Sequence, residues 1–280
     1  TLLLTDTFEP AGQLPNCVGE YEQLLAAASP DYRFEEFDEN SVATTFYTTG
    51  TTGNPKGVYF THRQLVLHTL GISTILGSVP AERLLGGSDV YMPITPMFHV
   101  HAWGMPYLAT LLGLKQVYPG RYEPERLVAL WEREQVTFSH CVPTILQMLL
   151  NAPNAQGTDF KGWKIIVGGS ALSRTLFAAA KARGIELMGA YGMSETGPLV
   201  ACAHLDDHAC AGPEDERISH RIRAGVPGPL VEVALVDEHG QFLAHDGETQ
   251  GELVLRAPWL TGSYLHEPEK GAELWAGGWL

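Results

Sequence analysis

The sequence predicts an α/β fold: a mostly parallel sheet with flanking helices, followed by a small β-rich, barrel-like subdomain. Three observations predict it. Strand-like and helix-like segments alternate from residue 42 to residue 188, the pattern of βαβ units around a parallel sheet. After about Asp206 the pattern changes to β-branched runs separated by turns. Between the first two strands lies Thr48–Gly57, TTGTTGNPKG, with four threonines, three glycines, one proline and one lysine in ten residues. Glycine lets main-chain N–H groups approach a ligand closely, and hydroxyls and an ammonium add donors, so this loop is suited to an anion, most naturally phosphate.

The elements follow in order. Tyr21–Ala28 suits a short helix, and the acidic EEFDEN of Glu35–Asn40 suits a solvated turn. Val42–Tyr47 is β-branched and aromatic, hence a strand, and Val58–Phe60 forms a second. Thr61 can cap a helix over His62–Leu76. Asp89–Pro93 is a strand. In Thr95–Gly113 a loop rich in histidine and aromatics precedes a buried helix, and Gln116–Tyr118 is a short strand. Glu125–Glu134 places Leu127, Leu130 and Trp131 on one helical face. Val136–Cys141 is a strand, Pro143–Leu150 a helix with proline in its first turn, Trp163–Val167 a strand, Ser173–Arg183 a helix and Ile185–Met188 a strand. His204–Glu216 is polar and loop-like. Val231–Val236 and Glu252–Arg256 are strands around a turn at Glu238–Gly240, and no helix is expected after them.

Composition excludes several classes of function. A net charge of −14 over 280 residues disfavours a nucleic-acid partner, which needs a basic surface. No apolar run reaches the length of a membrane span, and no basic region followed by an apolar core marks a signal peptide. Cys17, Cys141, Cys202 and Cys210 are scattered, which fits reduced thiols in the cytosol better than a disulfide framework. Cys202, His204, His208 and Cys210 could be taken for a metal cluster, yet their spacing matches no common zinc pattern. The pair His99 and His101 would need further ligands to hold a metal.

The phosphate loop is not a Walker A loop: Lys56 follows Pro55 rather than glycine and precedes Gly57 rather than the Ser or Thr that ligates magnesium. Nor is Ser170 a hydrolase nucleophile, because Leu172 stands where the G-x-S-x-G elbow needs glycine. TTGTTGNPKGV does resemble the phosphate-binding signature of the adenylate-forming superfamily: acyl-CoA synthetases, luciferases and peptide-synthetase adenylation domains. Three further segments are similar to family motifs, in the family's order. PMFHVHAW, Pro96–Trp103, resembles the acyl-pocket loop and is nearest to the medium- and long-chain fatty acyl-CoA synthetases. VGGSAL, Val167–Leu172, resembles a turn whose main chain lines the adenine and acyl sites. GAYGMSETGP, Gly189–Pro198, resembles Y-G-x-[ST]-E-T, with Ala190 where glycine is common and Ser194 where threonine is commoner.

The resemblance implies a set of roles. Thr48, Thr49, Gly50, Thr51, Thr52, Gly53 and Lys56 would hold ATP phosphates. Gly168, Gly169, Ser170, Gly189, Ala190, Tyr191, Gly192, Met193 and Ser194 would line the nucleotide, Tyr191 offering a face to adenine and Ser194 a hydroxyl to the α-phosphate. Glu195 would ligate Mg²⁺. His99, Val100, Trp103, Gly169 and Gly192 would line the acid pocket. Lys56, His99, Ser194 and Glu195 would carry the chemistry, in which a carboxylate, ionised with a reference pKa near 4, attacks the α-phosphate of ATP without a general base. Coenzyme A would then take the acyl group; a carrier protein as acceptor, or a non-catalytic nucleotide-binding module, are the alternatives. The partners expected are a small carboxylic acid, ATP and coenzyme A; the oligomeric state is not legible, a homodimer being one option. The resemblance covers about residues 40–280. Residues 1–216 would form an α/β AMP-binding part without its N-terminal portion, and 217–280 a truncated β-rich part. The ribose-binding T-G-D motif, the hinge and the C-terminal domain would lie beyond the chain, so the 280 residues alone are expected to be inactive.

Overall fold

A computed structural model describes residues 2–3, 18–48, 54–77 and 84–280, with the side chains of residues 2, 3, 207 and 208 left aside. The chain forms two compact units, 1–38 and 39–280. In the first, β1 (Leu2–Leu3) and β2 (Gly19–Glu20) pair in parallel and lead into α1 (Tyr21–Ala27). The buried Glu20 carboxylate caps that helix by accepting from Gln23 N–H at 3.0 Å.

The second unit opens with an antiparallel arm, β3 (Val42–Thr48) against β4 (Lys56–Thr61), in a register that places Thr48 opposite Lys56. The loop residues Thr49, Gly50, Thr51, Thr52 and Gly53 lie outside the described residues. Thr61 caps α2 (His62–Gly77) as expected: its hydroxyl accepts from Gln64 N–H at 3.2 Å. The Gln64 amide oxygen answers by accepting from Thr61 N–H at 2.8 Å, which completes a capping box.

The strands that follow build one seven-stranded sheet. They are β5 (Val90–Pro93), β6 (Lys115–Gln116), β7 (Phe138–Cys141), β8 (Lys164–Val167), β9 (Glu186–Gly192), β10 (Leu199–Cys202) and β11 (Val226–Pro227), in the spatial order β11-β10-β9-β8-β7-β5-β6. The five from β6 to β9 are parallel, and β10 and β11 add on antiparallel. The crossovers carry α3 (Met105–Leu111), α4 (Pro124–Glu134), α5 (Pro143–Leu150) and α6 (Arg174–Lys181). The central parallel strands β5, β7 and β8 are buried on both faces along most of their length, which is why Ile165–Val167 reads as a continuous apolar run. Ile165, Val167 and Leu187 face α4, α5 and α6. Their neighbours Ile166 and Met188 face α2, α3 and the arm, as the two-residue period requires.

At the starting ends of the strands, Asp89 ties three of them together. Its carboxylate accepts from Thr137 Oγ1 at 2.7 Å and Lys164 Nζ at 2.8 Å, and from Gly86 N–H at 2.8 Å. The opposite ends stay free for the site.

Two expectations need correction. His204–Glu216 is not merely a loop: it contains α7 (Asp207–Ala211), capped by the Asp206 carboxylate on Ala209 N–H at 2.7 Å, and the start of α8 (Glu214–Arg221). Three acidic residues in the first turn of α8 and His220 and Arg221 in its last complement the helix dipole, a pattern hidden by low apolar content. The tail also contains a helix. After the antiparallel pair β12 (Glu232–Val236) and β13 (Glu252–Arg256) comes α9 (Pro268–Leu274), started by proline at its first position. Among the described residues these tail strands do not close a barrel. Their apolar side chains gather with Trp259, Leu260 and Leu280 against Val200 of β10. Among the described residues no helix is long and apolar enough to cross a membrane.

Candidate functional site

The site forms where β8 and β9 end, the side of an open parallel sheet on which ligands bind. After β8 the chain turns through Gly168–Leu172. Gly169 takes φ +77°, a left-handed conformation that favours glycine. Ser173 then caps α6 by accepting from Leu176 N–H at 3.2 Å. Gly168 leaves little room for a side chain: a Cβ there would lie 3.2 Å from Ala190 O and 3.2 Å from the Trp103 ring.

β9 runs out into a 3₁₀ turn, Ser194–Thr196, before β10 returns antiparallel. Thr196, fully buried, pins that turn. Its hydroxyl accepts from Met193 N–H at 2.9 Å and also bonds Pro198 O. The turn therefore presents Ser194 and Glu195 at its tip, both half-buried. Gly192 is required by close approach, since a Cβ would fall 1.9 Å from Pro198 O.

The third wall is the histidine-rich loop. Val100–Trp103 winds as one left-handed turn, with φ of 49°, 50°, 48° and 60°, where non-glycine residues are rare. The turn buries Val100, Ala102 and Trp103 and leaves His99 exposed at the lip. Trp103 packs on the His140 ring at 5.0 Å between centroids. His140 is fully buried between Tyr91 Oη at 2.8 Å and Thr95 Oγ1 at 3.1 Å, and burial pushes its pKa down to about 3, so it stays neutral.

These walls line an open cleft. His99, Val100, Trp103, Gly168, Gly169, Ala190, Tyr191, Gly192, Met193 and Ser194 all line it, joined by Pro198 and Leu199. A second cleft shares the walls Gly169, Ala190, Tyr191 and Gly192. Ser170, Gly189, Arg223 and Ala224 are among its walls. Tyr191 thus stands between two compartments.

Glu195 and Lys56 do not line either cleft, and a residue without an assigned role in the sequence joins them. Tyr264 donates its hydroxyl to Glu195 Oε1 at 2.8 Å. The Lys56 ammonium sits over the Tyr264 ring, 4.7 Å from its centroid. Burial, with the Glu195 carboxylate adding to it, raises the Tyr264 pKa well above that of a free phenol. Thr261, also fully buried, fixes this arrangement. Its N–H donates to Glu195 O at 3.0 Å and its hydroxyl to Tyr59 O of β4 at 2.9 Å. The signal available in the sequence was the threonine and tyrosine of TGSY beside an apolar run, too little to single them out.

His99 and His101 diverge. His99 faces the cleft, while His101 Nε2 bonds Thr44 Oγ1 of the arm, and burial lowers its pKa. Cys202 is buried in β10 and Cys210 sits on α7. Among the described residues no three His, Cys, Asp or Glu side chains gather as a metal cluster.

Comparison with known proteins follows the same lines. A family model described as AMP-binding enzyme matches residues 5–265. A long-chain-fatty-acid–CoA ligase of Thermus thermophilus is 40% identical over 251 residues, covering 89% of this chain and 45% of the relative. A medium-chain-fatty-acid–CoA ligase of Ectopseudomonas oleovorans is 34% identical over 283 residues, covering 100% of this chain and 50% of the relative. The inhibitor-bound N-terminal domain of FACL13 from Mycobacterium tuberculosis shares the fold, with a TM-score of 0.79 at 22% identity over 98% of this chain and 65% of that one. The chain spans about half the length of the curated relatives it matches.

Proposed function

Because the chain belongs to the AMP-binding enzyme family, we propose that the protein carrying it is an ATP-dependent acid–thiol ligase. It converts a carboxylic acid to the acyl-adenylate with loss of pyrophosphate and passes the acyl group to coenzyme A. One observation carries this reading: ten residues expected from three separated motifs line a single cleft. Fatty acids are the favoured substrates, since the relatives named above are ligases for long- and medium-chain acids. A cytosolic location, and a division at 216/217 into an α/β nucleotide part and a small β-rich part, belong to the same proposal.

The geometry supports the following roles. The cleft that holds Trp103 and Val100 takes the acid; its apolar walls suit an acyl chain, with His99 at the lip. The compartment beyond Tyr191 takes adenine against Gly169, Ser170 and Ala190. Ser194, on the wall of the first cleft, meets the α-phosphate. Thr48 and Lys56 close the arm that carries the phosphate loop Thr49–Gly53.

No general base is needed, because the acid arrives ionised. His140, the buried imidazole behind Trp103, is neutral and engaged with Tyr91 and Thr95. Positioning and charge neutralisation remain as the work of the protein. The half-buried Glu195 carboxylate is a hard oxygen donor that, among the described residues, forms no ion pair, which fits Mg²⁺. The ion, when bound, would neutralise phosphate charge.

The test is pyrophosphate release by the polypeptide carrying these 280 residues, with Mg²⁺, ATP and acids from acetate to stearate plus aromatic acids. Release with an aliphatic acid, and AMP turnover that rises with coenzyme A, supports the proposal. Release indifferent to coenzyme A moves the acceptor to a carrier protein. Absence of release with every acid refutes the ligase reading. Glu195→Gln should slow adenylation at least about ten-fold, since an interaction with a charged group is worth roughly 1.5–3 kcal/mol.

A further inference from the structure

Lys56 and Glu195 carry opposite charges, come from segments well separated in sequence, and touch the same side chain. Among the described residues they form no ion pair with each other. Were they to pair directly, each would neutralise the other, leaving the lysine less able to hold phosphate and the carboxylate less able to hold a cation. The Tyr264 side chain contacts both. Its hydroxyl points at Glu195 Oε1, 2.8 Å away, within the range of a charge-assisted hydrogen bond. Its face receives Lys56 at 4.7 Å, within cation–π distance.

The ring cannot swing away. Tyr264 is 7% exposed, and its backbone forms an antiparallel bridge to Val58 of β4. The next residue, Leu265, donates N–H to Gly57 O at 2.7 Å. Thr261 bonds both Tyr59 O and Glu195 through its hydroxyl and N–H. The stretch 261–265 is thereby attached to the lysine strand and to the glutamate turn together.

We propose that Tyr264 is a positioning residue of the nucleotide site. Its hydroxyl aims the Glu195 carboxylate for the metal that accompanies ATP, and its ring keeps Lys56 apart from that carboxylate and available to phosphate. This rests on the assignment of Lys56 and Glu195 made above. It differs from a purely structural role because the two halves of the side chain act on different ligands. Removing only the hydroxyl should weaken metal binding and raise the Mg²⁺ requirement while leaving metal-free nucleotide binding intact; removing the ring as well should damage both.

Three measurements test it. First, in the folded chain labelled with ¹³C-tyrosine, the Tyr264 Cζ resonance, assigned by its loss in Tyr264→Phe, should move on Glu195→Gln. A resonance indifferent to that change overturns the hydrogen bond, independently of any activity. Second, calorimetry should give Tyr264→Phe an ATP affinity in EDTA within about two-fold of the parent. Its half-saturating Mg²⁺ concentration with ATP should rise about ten-fold, the size expected for losing one hydrogen bond to a charged group. An unchanged Mg²⁺ requirement overturns the proposal, and so does equal damage with and without metal. In a Glu195→Gln background the same change should add nothing to the metal requirement. Third, Tyr264→Leu should also weaken ATP in EDTA, and retention of parental affinity overturns the role of the ring. A parent chain that binds no ATP refutes the underlying nucleotide assignment instead, and the resonance measurement separates that outcome from failure of the Tyr264–Glu195 contact.

Discussion

The left-handed turn Val100–Trp103 makes a quantitative prediction for one wall of the cleft. For L-residues this conformation costs about 1–2 kcal/mol each, so four residues in it carry about 4–8 kcal/mol of strain. Burial of Val100 and Trp103, the bond from Gly104 N–H to Val100 O at 3.2 Å and the packing of Trp103 on His140 offset it. Ala102, with φ 48° and no exposed surface, isolates the effect. Ala102→Gly relieves about 1–2 kcal/mol, loses about 0.8 kcal/mol of buried methyl and about 0.4–1 kcal/mol through the freer unfolded chain. The net change should lie within about 1 kcal/mol of zero. Ala109→Gly is the control: it is equally buried but lies in the right-handed α3. There the glycine costs about 1 kcal/mol in helix propensity and the same 0.8 kcal/mol of methyl burial, giving about 2 kcal/mol of destabilisation. Denaturant midpoints at unchanged m measure both. Equal losses for the two variants would refute the strain in the turn.

Two further predictions concern packing and protons. Gly192→Ala should cost at least about 3 kcal/mol and abolish nucleotide binding, because its Cβ meets the carbonyl of Pro198 at 1.9 Å. Gly168→Ala, whose Cβ meets the Trp103 ring at 3.2 Å, should cost about 1–3 kcal/mol, and thermal denaturation that ranks them equally contradicts the described turn. Burial pushes both His68 and His140 down to about 3. Between that value and about 6.5 the unfolded chain binds more protons than the folded one, so stability falls as pH falls through this window. Each histidine should remove about 1.4 kcal/mol between neutral pH and pH 5.5. His140→Asn should therefore flatten the pH dependence of unfolding by that amount, and an unchanged slope would contradict the burial of a neutral imidazole.

The sequence discloses some of these features and conceals others for physical reasons. The central parallel strands were legible because burial on both faces demands apolar runs such as Ile165–Val167, and α5 because Pro143 marks its first turn. The Thr61 cap was legible because capping is local chemistry. Motif residues converged on one cleft because strand-end turns in an open sheet all point to the same side. What stayed hidden is long-range or entropic. The helices α7 and α8 depend on caps and dipole pairing rather than on an apolar stripe. Nothing local in HVHAW announces a left-handed turn, since the strain is tolerated only when Trp103 and Val100 are buried by other elements. Thr196 received no role from the sequence, since only the folded turn shows it to be the buried pin of Ser194–Thr196.

Tyr264 was invisible for a further reason, and it bears on how the site works. A residue that positions two charges need not resemble a ligand-binding residue; it needs only to be anchored to both of their carriers. Here the anchors are backbone bonds to β4 and to the Glu195 turn, which any sequence with the right extended segment could form. The consequence is that the lysine strand and the glutamate turn cannot shift independently: a displacement of 261–265 moves both. Gly57, the residue after Lys56, is packed against Leu265 Cβ, where a side chain would come within 3.1 Å. On the proposed assignment of Lys56 and Glu195, the tail segment belongs to the nucleotide site as much as the lysine strand does, although it lies about 200 residues away in the chain.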